Sequence, residues 1–166
     1  MCDRYKYSST VVALYIIAWA NCNKFYINLT KVQKLLYIAY GAALVFDGES
    51  IRLCSEHPQA WPYGPVFPTT REYLLNFGKN FEVVNFNHPY IQGVKDDAYL
   101  NSLISFVFKG FGGMTASQLT AWSHKPNTPW EKTTHEPNFK WGNEIPDSFI
   151  YEYFSQLINI NDESRK

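Results

Sequence analysis

Residues 29–46 read LTKVQKLLYIAYGAALVF, and this stretch decides the fold of the chain. Apolar residues recur in it at offsets of three and four, the spacing of one face of an α-helix: Val32, Leu35, Leu36, Ala39, Ala43 and Phe46. The other faces are also mostly apolar or aromatic, and a helix that is hydrophobic nearly all round is a buried one. The stretch therefore predicts a buried central helix at about residues 30–46, against which the remaining elements pack.

Local signals predict how this helix begins, packs and ends. Thr30 is followed three residues later by Gln33, the pattern of a capping box in which each side chain bonds the other residue's backbone N–H. Gly41 lowers helix propensity, but its lack of a side chain allows a neighbouring helix to approach closely. Asp47 and Gly48 are typical of the turn that ends a helix.

Composition restricts the class of protein. A chain of 166 residues suits one domain, which we expect at residues 1–158, followed by a polar tail at residues 159–166. Lys+Arg 15 balance Asp+Glu 15, so the net charge of +0 favours neither direct DNA binding nor membrane association. Aromatic residues make up 17% of the chain, which suits a packed core and a protein-binding surface. The three cysteines lack CxxC spacing and indicate reduced thiols in a cytoplasmic protein.

The N-terminus superficially resembles a signal peptide, because Arg4 and Lys6 precede an apolar run that ends near Ala18-Trp19-Ala20. The apolar residues of this run also follow the offsets of an amphipathic helix, and the run is too short to span a membrane. We predict the first helix of the domain here, packed on the central one.

Residues 60–68, AWPYGPVFP, change the character of the backbone. Each proline fixes φ, removes a hydrogen-bond donor and biases the preceding residue towards extended geometry. We predict a rigid, extended or turning proline-rich strap that displays Trp61 and Tyr63. It either covers the end of the central helix or forms a binding surface, and both roles are compatible.

Other patterns complete a mainly α (α+β) fold. Residues 51–54 and 81–86 are candidate strands that could pair with each other. Helices are expected after Thr69 or Thr70, after Asp96 or Asp97, at the Thr115–Gln118 capping box, after Pro129, and from about Pro146 to Ile158.

No pattern in the chain indicates catalysis. The four histidines lack zinc-ligand spacing, and no GxSxG nucleophile elbow occurs. The glycines at residues 110–113 are expected at the C-terminal end of a helix, whereas phosphate binds at the N-terminal end. We therefore expect no enzyme activity, no metal and no cofactor.

Three segments together resemble the Panacea domain, the SocA-like and phage-associated GepA-type domain of antitoxins: LTKVQKLLYIAYG, AWPYGPVFP and ASQLTAWSHKPNTPW. The resemblance extends from about residue 9 to residue 158. It implies a non-enzymatic antitoxin of a type II toxin–antitoxin system that neutralises a co-encoded toxin by direct binding. The family's toxins are often small alarmone-synthetase-like enzymes. The alternatives are an adaptor that delivers a toxin to a protease, and a small hydrolase or nucleotide-handling enzyme with an aromatic cleft.

A partner-binding surface is expected where the strap meets a second loop at the end of the central helix. The residues assigned to it are Trp61, Pro62, Tyr63, Gly64 and Pro65 of the strap, His124 and Trp130 of the loop, and Lys34 on the less buried edge of the central helix. His124 could instead serve mainly as a helix C-cap. An exposed aromatic surface also makes self-association of the free protein an expectation.

Overall fold

The computed structural model describes the backbone of residues 4–163 and the side chains of residues 4–159. Its elements, in chain order, are β1 (Tyr5–Tyr7), α1 (Ser9–Cys22), α2 (Leu29–Asp47), β2 (Arg52–Cys54), β3 (Gln59–Trp61), β4 (Gly64–Val66), α3 (Pro68–Leu75), α4 (Ala98–Phe111), α5 (Ala116–Ser123), α6 (Pro129–Thr134) and α7 (Asp147–Glu163). Short 3₁₀ turns lie at Phe81–Val83 and Pro89–Ile91. The predicted mainly helical fold with small β elements is confirmed. Because α7 reaches Glu163, the first part of the predicted polar tail is helical, and residues 164–166 lie outside the described residues.

The predicted central helix is α2. The helices α1, α3, α4, α5 and α7 and the strands β2 and β4 all pack against it. Every residue from Lys31 to Leu44 is buried. Phe46, which was expected on the buried face, is instead 51% exposed, because the last turn of α2 extends beyond the core, and its ring contacts the edge of Phe106.

The predicted capping box of α2 is wrong. Asn28 is the N-cap, and its side chain accepts a hydrogen bond from the N–H of Lys31. Asparagine is the stronger N-cap of the two candidates, so the helix begins before Thr30. Gln33 is only 2% exposed and faces inward. Its amide bonds the backbone of Phe67 instead, accepting from the N–H at 2.7 Å and donating to the carbonyl at 3.5 Å.

The predicted strand at residues 51–54 is present as β2, but the partner predicted for it is wrong. β2 pairs in parallel with β1, in the register Tyr5 with Arg52 and Tyr7 with Cys54. The other candidate strand begins as a 3₁₀ turn, in which Phe81 and Val84 are both buried at a spacing of three. Their carbonyls accept hydrogen bonds from the side chain of Asn21 on α1. Within residues 4–163, no helix combines the length and the hydrophobicity needed to cross a bilayer.

The proline-rich strap forms a β-hairpin, as an extended and turning segment would. β3 and β4 are antiparallel, and Pro62 and Tyr63 form the turn between the paired residues Trp61 and Gly64. On its other edge β3 is held by the segment before α7, since the N–H of Ala60 donates to the carbonyl of Asn143 at 2.8 Å.

The beginning of α7 is held on α2 by a cluster of charged groups around Asp147. The hydroxyl of Tyr40 donates to Oδ1 of Asp147 at 2.6 Å, and Arg52 and His57 lie 3.8 Å and 3.7 Å from its carboxylate. Burial opposes the charge of Asp147, but hydrogen bonds from His57 and Tyr40 outweigh it, so the pKa of Asp147 is lowered. The hydrogen bond with Asp147 outweighs burial at His57 and raises the pKa of that imidazole.

Gly41 gives the first testable prediction. A Cβ atom there would lie 2.3 Å from the ring of Phe154, which is fully buried on α7. Gly41→Ala should therefore lower the free energy of unfolding by about 1–3 kcal/mol, measured by urea denaturation. Gly110→Ala is the matched control, because Gly110 also lies in a helix but has open space around it. An unchanged stability in Gly41→Ala would contradict the close packing of α2 and α7.

Asp147→Asn should lower the free energy of unfolding by about 1–3 kcal/mol, because it removes the charge that Tyr40, Arg52 and His57 share. Because folding lowers the pKa of Asp147, its carboxylate stabilises the fold above about pH 3.9, the pKa of an unfolded aspartate. Because folding raises the pKa of His57, its protonated imidazole stabilises the fold below about pH 6.5, the pKa of an unfolded histidine. The difference from wild type should therefore be largest between about pH 4 and pH 6.5, and it should shrink as pH falls through the folded pKa of Asp147 or rises through that of His57.

Urea unfolding at a series of pH values measures this profile. Glu152→Gln is the control, since Glu152 is also on α7 but forms an exposed pair with Lys132, and its loss should change stability by less than about 0.5 kcal/mol. A pH-independent difference between Asp147→Asn and wild type would contradict the coupling to His57.

Candidate protein-binding site

The hairpin lies directly on the N-terminal half of α2. Nζ of Lys34 donates a hydrogen bond to the carbonyl of Pro65 at 3.2 Å, beside the contact of Gln33 with Phe67. Gly64 has φ +106°, and a Cβ there would lie 2.7 Å from Oγ of Ser123 and 2.9 Å from Cε of Lys34. A glycine is therefore required at this point, both by the backbone conformation and by the close approach to α2 and α5.

The loop between α5 and α6 is fixed beside the hairpin. His124 is the C-cap of α5, as the sequence suggested, and its ring stacks on Trp130 with 4.0 Å between ring centroids. Nε1 of Trp130 donates to the backbone carbonyl of Trp61 at 2.8 Å. The hydroxyl of Thr128 closes the loop by donating to the carbonyls of Ser123 and Lys125. The structure thus places the hairpin and the His124–Trp130 loop together, as expected.

The predicted site residues differ in how far they reach the surface. Pro62 and Tyr63 are exposed, and Tyr63 is 77% exposed at the hairpin turn. Trp61, His124 and Trp130 are partly buried, whereas Gly64 and Pro65 are buried.

The expectation that Lys34 lies on a less buried edge of the central helix is wrong. Its side chain is only 1% exposed, because the hairpin covers its aliphatic part and a backbone carbonyl receives its ammonium group. Burial removes water from this ammonium group and lowers its pKa to about 8. Among the described residues, Lys34 forms no ion pair.

His124 lies in the same electrostatic environment. Burial lowers its pKa below the ordinary value, and the charge of Lys34 lowers it further, so its imidazole is neutral at pH 7. Its Nε2 is buried and finds no hydrogen-bond partner within the described part of the chain.

A narrow cleft of about 160 Å³ opens between the hairpin, α2 and α3. Its lining residues are Leu29, Thr30, Gln33, Lys34, Trp61, Tyr63, Val66 and Arg71. The guanidinium carbon of Arg71 lies 5.5 Å from the centre of the Trp61 ring, a cation–π distance. The cleft thus combines aromatic walls with two cationic side chains.

Two neighbouring side chains escaped prediction from the sequence. Arg71 was placed in a helix, but its position against Trp61 depends on how α3 packs. Trp141 is 56% exposed and stacks on Trp130 with 6.2 Å between ring centroids. A tryptophan outside any helical period, next to Gly142 and Asn143, is the signal that could have identified it as a surface aromatic.

Ser123 and Cys54 carry side chains of types that can act as nucleophiles, and both are buried in the fold. The hydroxyl of Ser123 donates to the carbonyl of Thr120 at 2.8 Å. Burial raises the pKa of the Cys54 thiol to about 12, so this cysteine is uncharged at neutral pH. Cys22, by contrast, is exposed. Among the described residues, no three His, Cys, Asp or Glu side chains lie together as a metal site would require.

Comparison with known proteins places these elements in a family. The model of the family described as "Antitoxin SocA-like, Panacea domain" matches residues 32–131, which contain every site residue predicted from the sequence. Antitoxin SocA of Caulobacter vibrioides (strain NA1000 / CB15N) is 31% identical over 146 residues, covering 81% of this chain and 76% of that protein. No solved structure matches the chain. The buried central helix, the hairpin on it and the loop beside it thus lie in a chain that belongs to the SocA-like antitoxin family and carries its Panacea domain.

Proposed function

We propose that this protein is the antitoxin of a type II toxin–antitoxin system and neutralises a protein toxin by direct binding in the cytoplasm. Its membership of the SocA-like antitoxin family is the observation that carries this proposal. We propose a co-encoded toxin as the partner, and the resemblance to the Panacea domain suggests a small alarmone-synthetase-like enzyme.

The surface formed by the hairpin and the His124–Trp130 loop supports direct binding. Tyr63 projects from a turn whose strands are tied to α2 through Gln33 and Lys34, and to α6 through Trp130. A surface that is already ordered loses little conformational entropy on association. Tyrosine and tryptophan are also enriched among the residues that contribute most to protein–protein affinity.

Occlusion of the toxin's active site or substrate path is the mechanism that we propose. Tyr63 is exposed at the hairpin turn and Trp141 is exposed where it stacks on Trp130, so a partner could contact these side chains without rearrangement of the core. The cleft beside Trp61 is smaller than the roughly 300–1,000 Å³ typical of small-molecule sites, so this cleft does not suit a nucleotide substrate.

Co-expression with the protein encoded by the adjacent gene tests the proposal. That protein alone should arrest growth, and the present protein should both restore growth and co-elute with it. A harmless neighbour, or rescue without a complex, would contradict direct neutralisation. Rescue accompanied by protease-dependent loss of the toxin would instead support the adaptor mechanism.

Tyr63→Ala should weaken the complex by about tenfold or more, measured by calorimetry, because it removes the most exposed aromatic side chain of the surface. Thermal unfolding of the free variant should match wild type. Tyr5→Ala is the control: Tyr5 is 53% exposed in β1, and the neighbouring Lys6 pairs with Asp47 at the opposite end of α2. Equal affinities of Tyr63→Ala and Tyr5→Ala would contradict the assignment of the binding surface to the hairpin.

A further inference from the structure

Neither buried lysine of α2 forms an ion pair with a described residue, but the ammonium group of Lys34 is bound more weakly than that of Lys31. Nζ of Lys31 donates at 2.7 Å to the carbonyl of Gly112, at the C-terminal end of α4, where the helix dipole favours a cation. Nζ of Lys34 has a longer contact, 3.2 Å, with the single carbonyl of Pro65. Burying an ammonium group without a charged partner destabilises a protein. The free protein therefore retains an unfavourable charge at this point of the core.

The cleft above Lys34 contains further groups that could receive an anion. Arg71 lines its wall from α3, and Thr30, exposed in the first turn of α2, lines its rim. The hydroxyl of Thr30 makes no hydrogen bond to any described residue. Trp61 and Tyr63 enclose the remaining sides. A cleft with two cations, a free hydroxyl and no acidic lining residue is complementary to a carboxylate.

We propose that this cleft receives the side chain of an aspartate or glutamate of the toxin, whose carboxylate Lys34 and Arg71 bind. This inference rests on the proposed antitoxin function and adds the chemistry of the partner's contact residue. A volume of about 160 Å³ suits one side chain rather than a nucleotide. A toxin that covers Tyr63 and Trp61 would exclude water from the cleft, which strengthens the interaction between the cations and the carboxylate.

Lys34→Met tests the inference, because it keeps the length and the apolar part of the side chain while removing the charge. The complex should weaken by about 30-fold or more, the scale expected when one member of a buried charge pair is removed. The free variant should be at least as resistant to urea as wild type, because the uncompensated charge is gone. A purely structural role for Lys34 would instead lower both stability and affinity.

Lys31→Met is the matched control, since Lys31 is also buried on the same helix but binds Gly112 away from this cleft. Its affinity for the toxin should equal that of wild type. Arg71→Gln provides a second test at the surface, where folding is less at risk, and it should weaken the complex in the same direction by about tenfold.

The pH dependence of binding gives an independent readout. The Lys34 ammonium has a pKa of about 8 in the free protein, and a bound carboxylate would raise it. The dissociation constant should therefore be constant below about pH 8 and increase by up to about tenfold per pH unit above it. The neighbouring groups are the neutral His124 on α5, Arg71 on α3, Tyr63 at the hairpin turn and Lys31 on α2. Lys34→Met should abolish this pH dependence.

A scan of Asp→Asn and Glu→Gln substitutions in the toxin should identify one position whose replacement weakens binding to wild type but not to Lys34→Met. Wild-type affinity of Lys34→Met, or an unchanged pH profile, would overturn the acidic contact while leaving the antitoxin function intact. If the wild-type protein forms no complex with the toxin, both proposals fail.

Discussion

The complete burial of one helix is the constraint on which the rest of this structure depends. Every residue of α2 from Lys31 to Leu44 is buried, so each polar side chain among them needs a partner inside the protein. Three such partnerships attach other elements to α2: Gln33 with Phe67, Lys31 with Gly112, and Tyr40 with Asp147. The hairpin, the end of α4 and the beginning of α7 are therefore positioned by hydrogen bonds from the central helix as well as by apolar contacts.

The candidate site follows from this arrangement. The hairpin must lie close enough to α2 for Gln33 and Lys34 to reach its backbone, and this close approach requires glycine at residue 64. The same placement brings the carbonyl of Trp61 within hydrogen-bonding distance of Trp130. A loop anchored at three points on two helices keeps Tyr63 exposed in a defined position, which a flexible loop of the same composition would not do.

The features that sequence alone predicted are those encoded locally. The period of α2, the capping box of Thr115 and Gln118, and the cap at Asp97 each depend on residues within one or two turns, and the structure contains all of them. The pairing of β1 with β2 joins residues more than forty positions apart, and three-residue strands carry little periodicity from which to infer a partner.

Lys34 and Gln33 were misplaced for a related reason. On a helix that is apolar nearly all round, a lysine suggests the solvent-facing edge, and a glutamine three residues after a threonine suggests a capping box. In the fold, both side chains bind backbone groups of a hairpin more than thirty residues away in sequence. Such non-local hydrogen bonds overrule the local pattern, and only the tertiary structure reveals them.

Two polar groups that lack strong partners lie close together beside the N-terminal half of α2, and a third, the hydroxyl of Ser155, lies on α7. The buried carboxylate of Asp147, by contrast, is bonded to Tyr40 and paired with His57 and Arg52. Near the hairpin, the ammonium of Lys34 has one long contact, and Nε2 of His124 has none among the described residues. Such unsatisfied groups are not required for stability, because apolar residues of similar size would pack as well. The position of Lys34 and His124 beside an exposed aromatic hairpin supports the toxin contact proposed above. In that contact a partner would complete their interactions and recover part of the stability missing from the free domain.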